Sequence, residues 1–171
     1  MHMAIRLEGP LADRSRWQAS ECSIGKAMDV VGTRSAMLLI REAFYGTTRF
    51  DDFAARVGIT DAIASARLKE LVAAGIFTKR PYREPGQRTR YEYVLTPMGE
   101  DLLPAVLALM RWGDRYLQAD GEGPLAVVDD TTGEPVEVRA RSASGTDLDA
   151  AGIRVRVNRR ARERATKSPH A

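Results

Sequence analysis

One stretch of the chain leaves few folds open. Between Thr48 and Leu95, two amphipathic helical patterns are separated by Gly58 and a turn of about three residues, and they run straight into a basic hairpin pattern. In the first, Phe50, Phe53, Ala54 and Val57 share one helical face and Gly58 stops the run. Thr48 followed by Asp51 reads as a capping box with Asp in place of Glu, and Asp51 and Asp52 as capping and solvating acids. In the second, Thr60 is the expected N-cap and Asp61 sits at the positive helix end. Ala64, Leu68 and Leu71 form its apolar stripe, and Gly75 closes it. At Ile76-Phe77 the period changes. A basic strand follows, then EPGQ as a turn of about four residues, then TRYEYVLT as the returning strand.

Helices flank this unit. CSIGKAMDVVG places Ile24, Ala27, Met28 and Val31 on one face and ends at Gly32. TRSAMLLIREAFYG places Met37, Ile40 and Phe44 on another, with Leu38 and Leu39 widening the stripe, so this helix is expected to be buried on much of its circumference. Thr96-Pro97 pairs an N-cap with proline at the first helical position. A long helix to about Leu117 should follow, with Leu103, Val106, Leu107, Met110 and Leu117 as its stripe. Pro104 either kinks that helix or marks its true start. Trp112 and Tyr116, at i and i+4, read as dimer or core packing. Past Gly121, the segments LAVVDD, EPVEVRARS and GIRVRVN alternate at period two and predict three short strands. The organisation expected is therefore a flexible arm or helix over 1–20, a helical domain with a hairpin over 21–118, a β-extension over 119–157 and a disordered basic tail over 158–171.

A helix, a turn, a second helix and a basic hairpin form the pattern of a winged helix-turn-helix, whose second helix enters the DNA major groove. The solvent side of that helix offers Thr60, Asp61, Ala62, Ser65, Ala66 and Lys69, small or hydrogen-bonding residues that permit close approach to base edges. Arg67 could face the DNA backbone or the domain's own acids. In the hairpin, Arg88 and Arg90 share one parity, and Tyr91 and Tyr93 the other. Gln87, Arg88 and Arg90 are the expected phosphate or minor-groove contacts, whereas Tyr91 and Tyr93 are expected to anchor the hairpin. A protein-interaction module on the same scaffold, and a small-molecule sensor built on the C-terminal extension, remain alternatives.

Charge distribution fits an anionic partner. The formal net charge is only +3, but segment 76–95 sets Lys79, Arg80, Arg83, Arg88 and Arg90 against Glu84 and Glu92. Segment 119–157 is acidic, and the final 14 residues are basic again. The single cysteine, Cys22, allows no internal disulfide and suggests a reducing, cytoplasmic setting without a membrane span. Two histidines near the termini and one cysteine make no metal cluster, and no phosphate loop or nucleophile elbow is present. Neither an enzyme nor a cofactor is expected.

The blocks CSIGKAMDVVG, TRSAMLLIREAFYGTTRFDDF, ITDAIASARLKELVAAGIFTKRPY, RTRYEYVLTPMGEDLLP and ALMRWGDRY together resemble the HxlR-type winged helix-turn-helix transcriptional regulators of bacteria, from Cys22 to about Tyr116. The resemblance implies a mainly α fold with a small β wing (α+β) and a homodimer joined through its terminal helices. It also implies a pseudo-palindromic double-stranded DNA operator; occupying it would block or recruit polymerase, with repression the expected direction. Two positions stand apart. Ser35 replaces a tryptophan usual in the family, which either leaves room for a small-molecule effector or is refilled by a neighbour such as Trp17. Cys22 lies where some members carry a redox- or electrophile-sensing thiol, with Lys26 one turn on; a small buried hydrophobe is the alternative.

Overall fold

In a computed structural model, residues 4–13 and 22–158 are described. They fall into two compact units, one of residues 20–136 and one of 1–19 with 137–171. The first unit extends past the 118/119 boundary drawn from composition.

The larger unit opens with α1 (Ser23–Val31) and α2 (Arg34–Phe44). The Thr33 hydroxyl caps α2 by accepting from the Ala36 amide at 3.1 Å. Helix α3 (Phe50–Val57) ends at Gly58, whose φ of 68° is left-handed and suits glycine alone at low cost. Helix α4 (Asp61–Ala73) follows at once, with the Thr60 hydroxyl accepting from the Ile63 amide at 3.3 Å. Its buried residues are Ala64, Leu68 and Leu71, the stripe read from the sequence.

Strands β2 (Phe77–Tyr82) and β3 (Arg90–Leu95) pair antiparallel, from Phe77↔Leu95 to Tyr82↔Arg90. The connection is therefore the seven residues 83–89, longer than the expected four. The EPGQ turn sits inside it, with Gly86 at φ 77° and the Gln87 amide donating to the Glu84 carbonyl at 3.0 Å.

Two further helices complete the unit. Helix α5 (Pro97–Glu100) is capped by Thr96, which accepts from the Gly99 amide at 3.2 Å. Helix α6 (Leu103–Leu117) starts with Pro104 in its first turn, so the proline marks a beginning and not a kink.

The core joins Val31, Ala36, Leu39, Ile40, Phe53, Val57, Leu68, Leu71, Ile76, Phe77 and Val106. In α2 the fully buried side is Ala36, Leu39 and Ile40, while Met37, Leu38 and Phe44 pack partly buried around it. Glu42 is also buried, an acid the sequence does not flag. Arg41 pairs with it at 2.6 Å and the Thr47 hydroxyl donates to it at 3.3 Å, tying the end of α2 to the segment entering α3.

Two expectations are corrected, and one apolar helix face lies open. Thr48 does not cap α3; the N-cap is Arg49, which makes no side-chain capping bond. The Thr48 carbonyl instead accepts from the Tyr93 amide at 2.7 Å, because this segment runs as a partial third strand beside β3, with Arg49 bridging Glu92. The α1 face is not buried: only Val31 is, whereas Ile24 is 73% exposed and Met28 52%. The C-terminal alternation yields one two-residue strand, β4 (Arg154–Val155), and isolated bridges at Val128↔Pro135 and Arg141↔Asp147. Local bonds take the amides that a ladder would use. Asp129 Oδ1 accepts from the Thr131 and Thr132 amides at 2.8 Å, and Ser142 Oγ from the Thr146 amide at 3.1 Å.

In the smaller unit β4 pairs parallel with β1 (Arg6–Leu7), inside a segment read as a loose arm, and Glu8 meets Arg154 at 3.0 Å. Arg141 and Arg139 converge on Asp147, at 2.7 and 3.8 Å. Trp17 and the tail beyond Asn158 lie outside the described residues.

Gly99 is buried where α5 meets the residue leading into β2: a Cβ there would lie 2.4 Å from the Ile76 carbonyl oxygen. That atom belongs to backbone and cannot swing away. Gly99→Ala should cost about 1–3 kcal/mol, read as a lower midpoint in urea unfolding with an unchanged slope.

Candidate nucleic-acid interface

Helix α4 shows one uncluttered face. Thr60, Asp61, Ala62, Ser65, Ala66 and Lys69 are all exposed, and Ile63, 48% exposed, joins them. The burial of Ala64, Leu68 and Leu71 fixes this orientation, since a helix that buries one stripe must present the opposite one. The small side chains let the backbone approach a surface closely, and Ile63 adds an apolar methyl contact of the kind thymine offers. Sequence reasoning missed Ile63 because it treats an isoleucine in a helix as core.

Arg67 faces the other way. It is only partly exposed, its guanidinium pairs with Glu70 one turn on, and its Nε is buried without an acceptor. The domain's own acid is thus its partner.

The wing is held by aromatic packing at its base. Tyr93 meets Phe53 edge-on at 6.4 Å and Phe77 meets Phe53 edge-on at 5.9 Å. Tyr93 anchors the hairpin as expected. Tyr91 does not: it shares the parity of Tyr93 but is 54% exposed, paired with Pro81 one step from the end of the ladder.

Glu92 lies between cations. Arg80, its cross-strand neighbour, donates to it at 2.7 Å, and that bond holds its carboxyl below the usual carboxylate range, with a further contribution from Thr48. Arg49 donates to Glu84 at 2.6 Å and lies 4.5 Å over the Tyr82 ring, so its guanidinium is held above its ordinary value, chiefly by the bond to Glu84.

At the tip Gln87, Arg88 and Arg90 are all exposed, and the Gln87 carbonyl accepts from Arg83 Nε at 2.9 Å. Arg88 and Arg90 line an open groove of about 540 Å³ together with Arg49, Lys79, Asp51 and the rings of Tyr82, Tyr91 and Tyr93. Four cations face one acid there, a setting for an anionic partner. Sequence reasoning did not single out Arg49, since nothing in a linear reading ties it to Glu84, 35 residues on.

The two other predicted positions sit apart from this surface. Cys22 is the N-cap of α1 and is partly exposed. Ser35 is in the first turn of α2, partly exposed, with its hydroxyl 3.4 Å from that of Thr33. Among the described residues no helix is long and apolar enough to cross a membrane, and no group of three or more His, Cys, Asp or Glu could hold a metal.

Comparison with known proteins agrees with this geometry. Residues 30–121 match the HxlR-like helix-turn-helix family. An uncharacterized HTH-type transcriptional regulator of Mycobacterium tuberculosis is 40% identical over 117 residues, which span 68% of this chain and 73% of the relative. Among solved structures, the candidate transcription factor PA1607 superposes with a TM-score of 0.71 at 34% identity, over 80% of this chain and 94% of that one. A second, PA1374 from Pseudomonas aeruginosa, gives a TM-score of 0.53 at 33% identity, over 74% and 86%.

The depressed Glu92 carboxyl gives the wing an acid limit. Its contribution is complete above the usual carboxylate pKa of about 4.3 and is lost as pH falls through the lower folded-state value. The difference in melting temperature between wild type and Glu92→Gln should therefore be constant near neutrality and shrink as pH falls below about 4. Calorimetry across a pH series checks this.

Proposed function

The chain belongs to the HxlR-like helix-turn-helix family of transcriptional regulators, and from that premise we propose that it is a homodimeric repressor that binds a two-half-site DNA operator and blocks polymerase by occupying it. The observation that carries the reading is the bare outer face of α4 in the same unit as a wing whose tip arginines are free for phosphate. Helix α4, with 13 residues, is about 20 Å long and narrow enough for the major groove. Thr60, Asp61, Ala62, Ser65, Ala66 and Lys69 are the groove-facing residues of this proposal, with Ile63 added. Gln87, Arg88 and Arg90 serve phosphates or the minor groove. Arg67, engaged with Glu70, supports the helix and is not assigned a DNA contact.

Dimerisation is supported by apolar surface left open on the terminal helices. On α6, Leu109 is 53% exposed, Trp112 55%, Tyr116 59% and Leu117 71%, and on α1 Ile24 and Met28 are open as well. Trp112 and Tyr116 meet at a tilt with ring centroids 5.8 Å apart, and neither belongs to the core cluster. A second copy would bury these side chains, and each large one fully removed from water contributes about 1.5–3 kcal/mol.

Selection from a random duplex library tests the DNA reading. An enriched site with two related half-sites about one helical turn apart is the expected result; no enrichment by the intact chain would sink it. On the selected duplex, Arg88→Ala with Arg90→Ala should lower affinity and flatten the plot of log K against log salt by about four phosphate contacts, two from each protomer of the homodimer, near 3.6 in slope. Lys69→Ala should weaken binding with a smaller change of slope. Leu109→Asp with Trp112→Asp should give a monomer by sedimentation velocity, with half-site binding only.

A further inference from the structure

We propose that Arg49 is a wing-positioning residue, clamping the hairpin tip through Glu84 and Tyr82 so that Arg88 and Arg90 meet DNA in a fixed orientation; the inference rests on the DNA-binding reading above. The backbone of Arg49 is anchored on both sides. It bridges Glu92 of β3, and its carbonyl accepts the Phe53 amide of α3 at 3.0 Å. Its side chain starts from this fixed base and spans the sheet to Glu84, stacking on Tyr82 on the way.

The far end of that reach matters because the β2–β3 ladder stops at Tyr82↔Arg90. Residues 83–89 lie beyond it, and the bond from Arg83 to the Gln87 carbonyl is internal to that loop. The Arg49–Glu84 contact ties the loop to the N-terminal end of α3.

Two features separate a clamp from an ordinary surface pair. Both side chains are about half exposed, 48% and 43%, so the pair contributes little to global stability. Glu84 also places a negative charge among the cations offered to phosphate, which by charge alone opposes DNA binding. Its position is explained by what it holds. Ordering the tip before binding removes an entropic cost that would otherwise be met on the DNA.

Charge and clamping predict opposite signs for Glu84, and the full-length chain can distinguish them. The probe is a labelled duplex of about 30 base pairs from the random-library selection, read by fluorescence anisotropy. Amide hydrogen exchange over 83–89 in the DNA-free protein provides a second readout. The expected result is that Arg49→Ala and Glu84→Ala each speed exchange in the loop and each weaken binding about three- to tenfold, with melting temperatures within about 2 °C of wild type. In the Arg88→Ala, Arg90→Ala background, adding Arg49→Ala should cost less than about a further twofold, because the clamp acts through those arginines.

Tighter or unchanged binding by Glu84→Ala overturns the proposal and makes Arg49 a phosphate contact in its own right. So does a full additional loss in the double background. Unchanged loop exchange in both variants overturns it whatever the DNA result. A wild-type chain that enriches no duplex removes the DNA reading, and the proposed role with it, which is distinguishable from wild type binding while the two variants behave otherwise.

Discussion

The ring of Phe53 joins the helical half of the main unit to its hairpin. It is fully buried, and it meets Phe77 of β2 and Tyr93 of β3 edge-on, so a single side chain of α3 touches both wing strands. Edge-on aromatic contacts add directional preference to apolar burial, and two rings packed on Phe53 leave it little rotational freedom. Around them Val57 of α3, Leu39 and Ile40 of α2, and Leu68 and Leu71 of α4 complete one core. The angle between the base of the hairpin and the helices is consequently set by packing, within the same compact unit as the outward face of α4.

Moving outward from that ring, the nature of the restraint changes. At the base of the wing, hydrophobic burial and the Tyr93–Thr48 backbone bond hold β3. Midway, the Arg80–Glu92 pair bridges the two strands. At the tip only exposed polar contacts remain, with Arg49 reaching Glu84. Restraint weakens with distance from the core because apolar area to bury runs out, and charged side chains take over where water competes. The surface that would meet a nucleic acid is the part held least by burial, which makes it the part most open to adjustment by a partner.

Much of the helical body was legible because periodicity and capping are local. The stripe of Ala64, Leu68 and Leu71, the stop at Gly58 and the Thr96-Pro97 start all appear where the pattern places them. In the hairpin, parity tells which side of a strand a residue faces and not how far the core extends beneath it, and Arg88 lies in the loop outside β3. Tyr93 meets Phe53 edge-on, whereas Tyr91, two residues earlier, is exposed. The C-terminal segments failed for a related reason. Alternation suits a strand only if another strand is available, and there the side chains of Asp129 and Ser142 bind nearby amides first. The partner that β4 did find, Arg6–Leu7, lies some 150 residues away in sequence, at a distance that no local pattern reports.

The sequence by itself determined which residues make helices and turns, which faces are apolar, and that a basic hairpin follows directly on a small-faced helix. Those properties depend on neighbours within a few residues, where backbone preference and side-chain spacing act. Only the tertiary structure decided that Arg49 reaches Glu84, that Glu42 is buried beside Thr47, and that the apolar sides of α1 and α6 stay open. Each of these depends on how elements pack. An apolar stripe read from sequence states a need for burial, and whether the same chain meets that need is fixed by the three-dimensional arrangement.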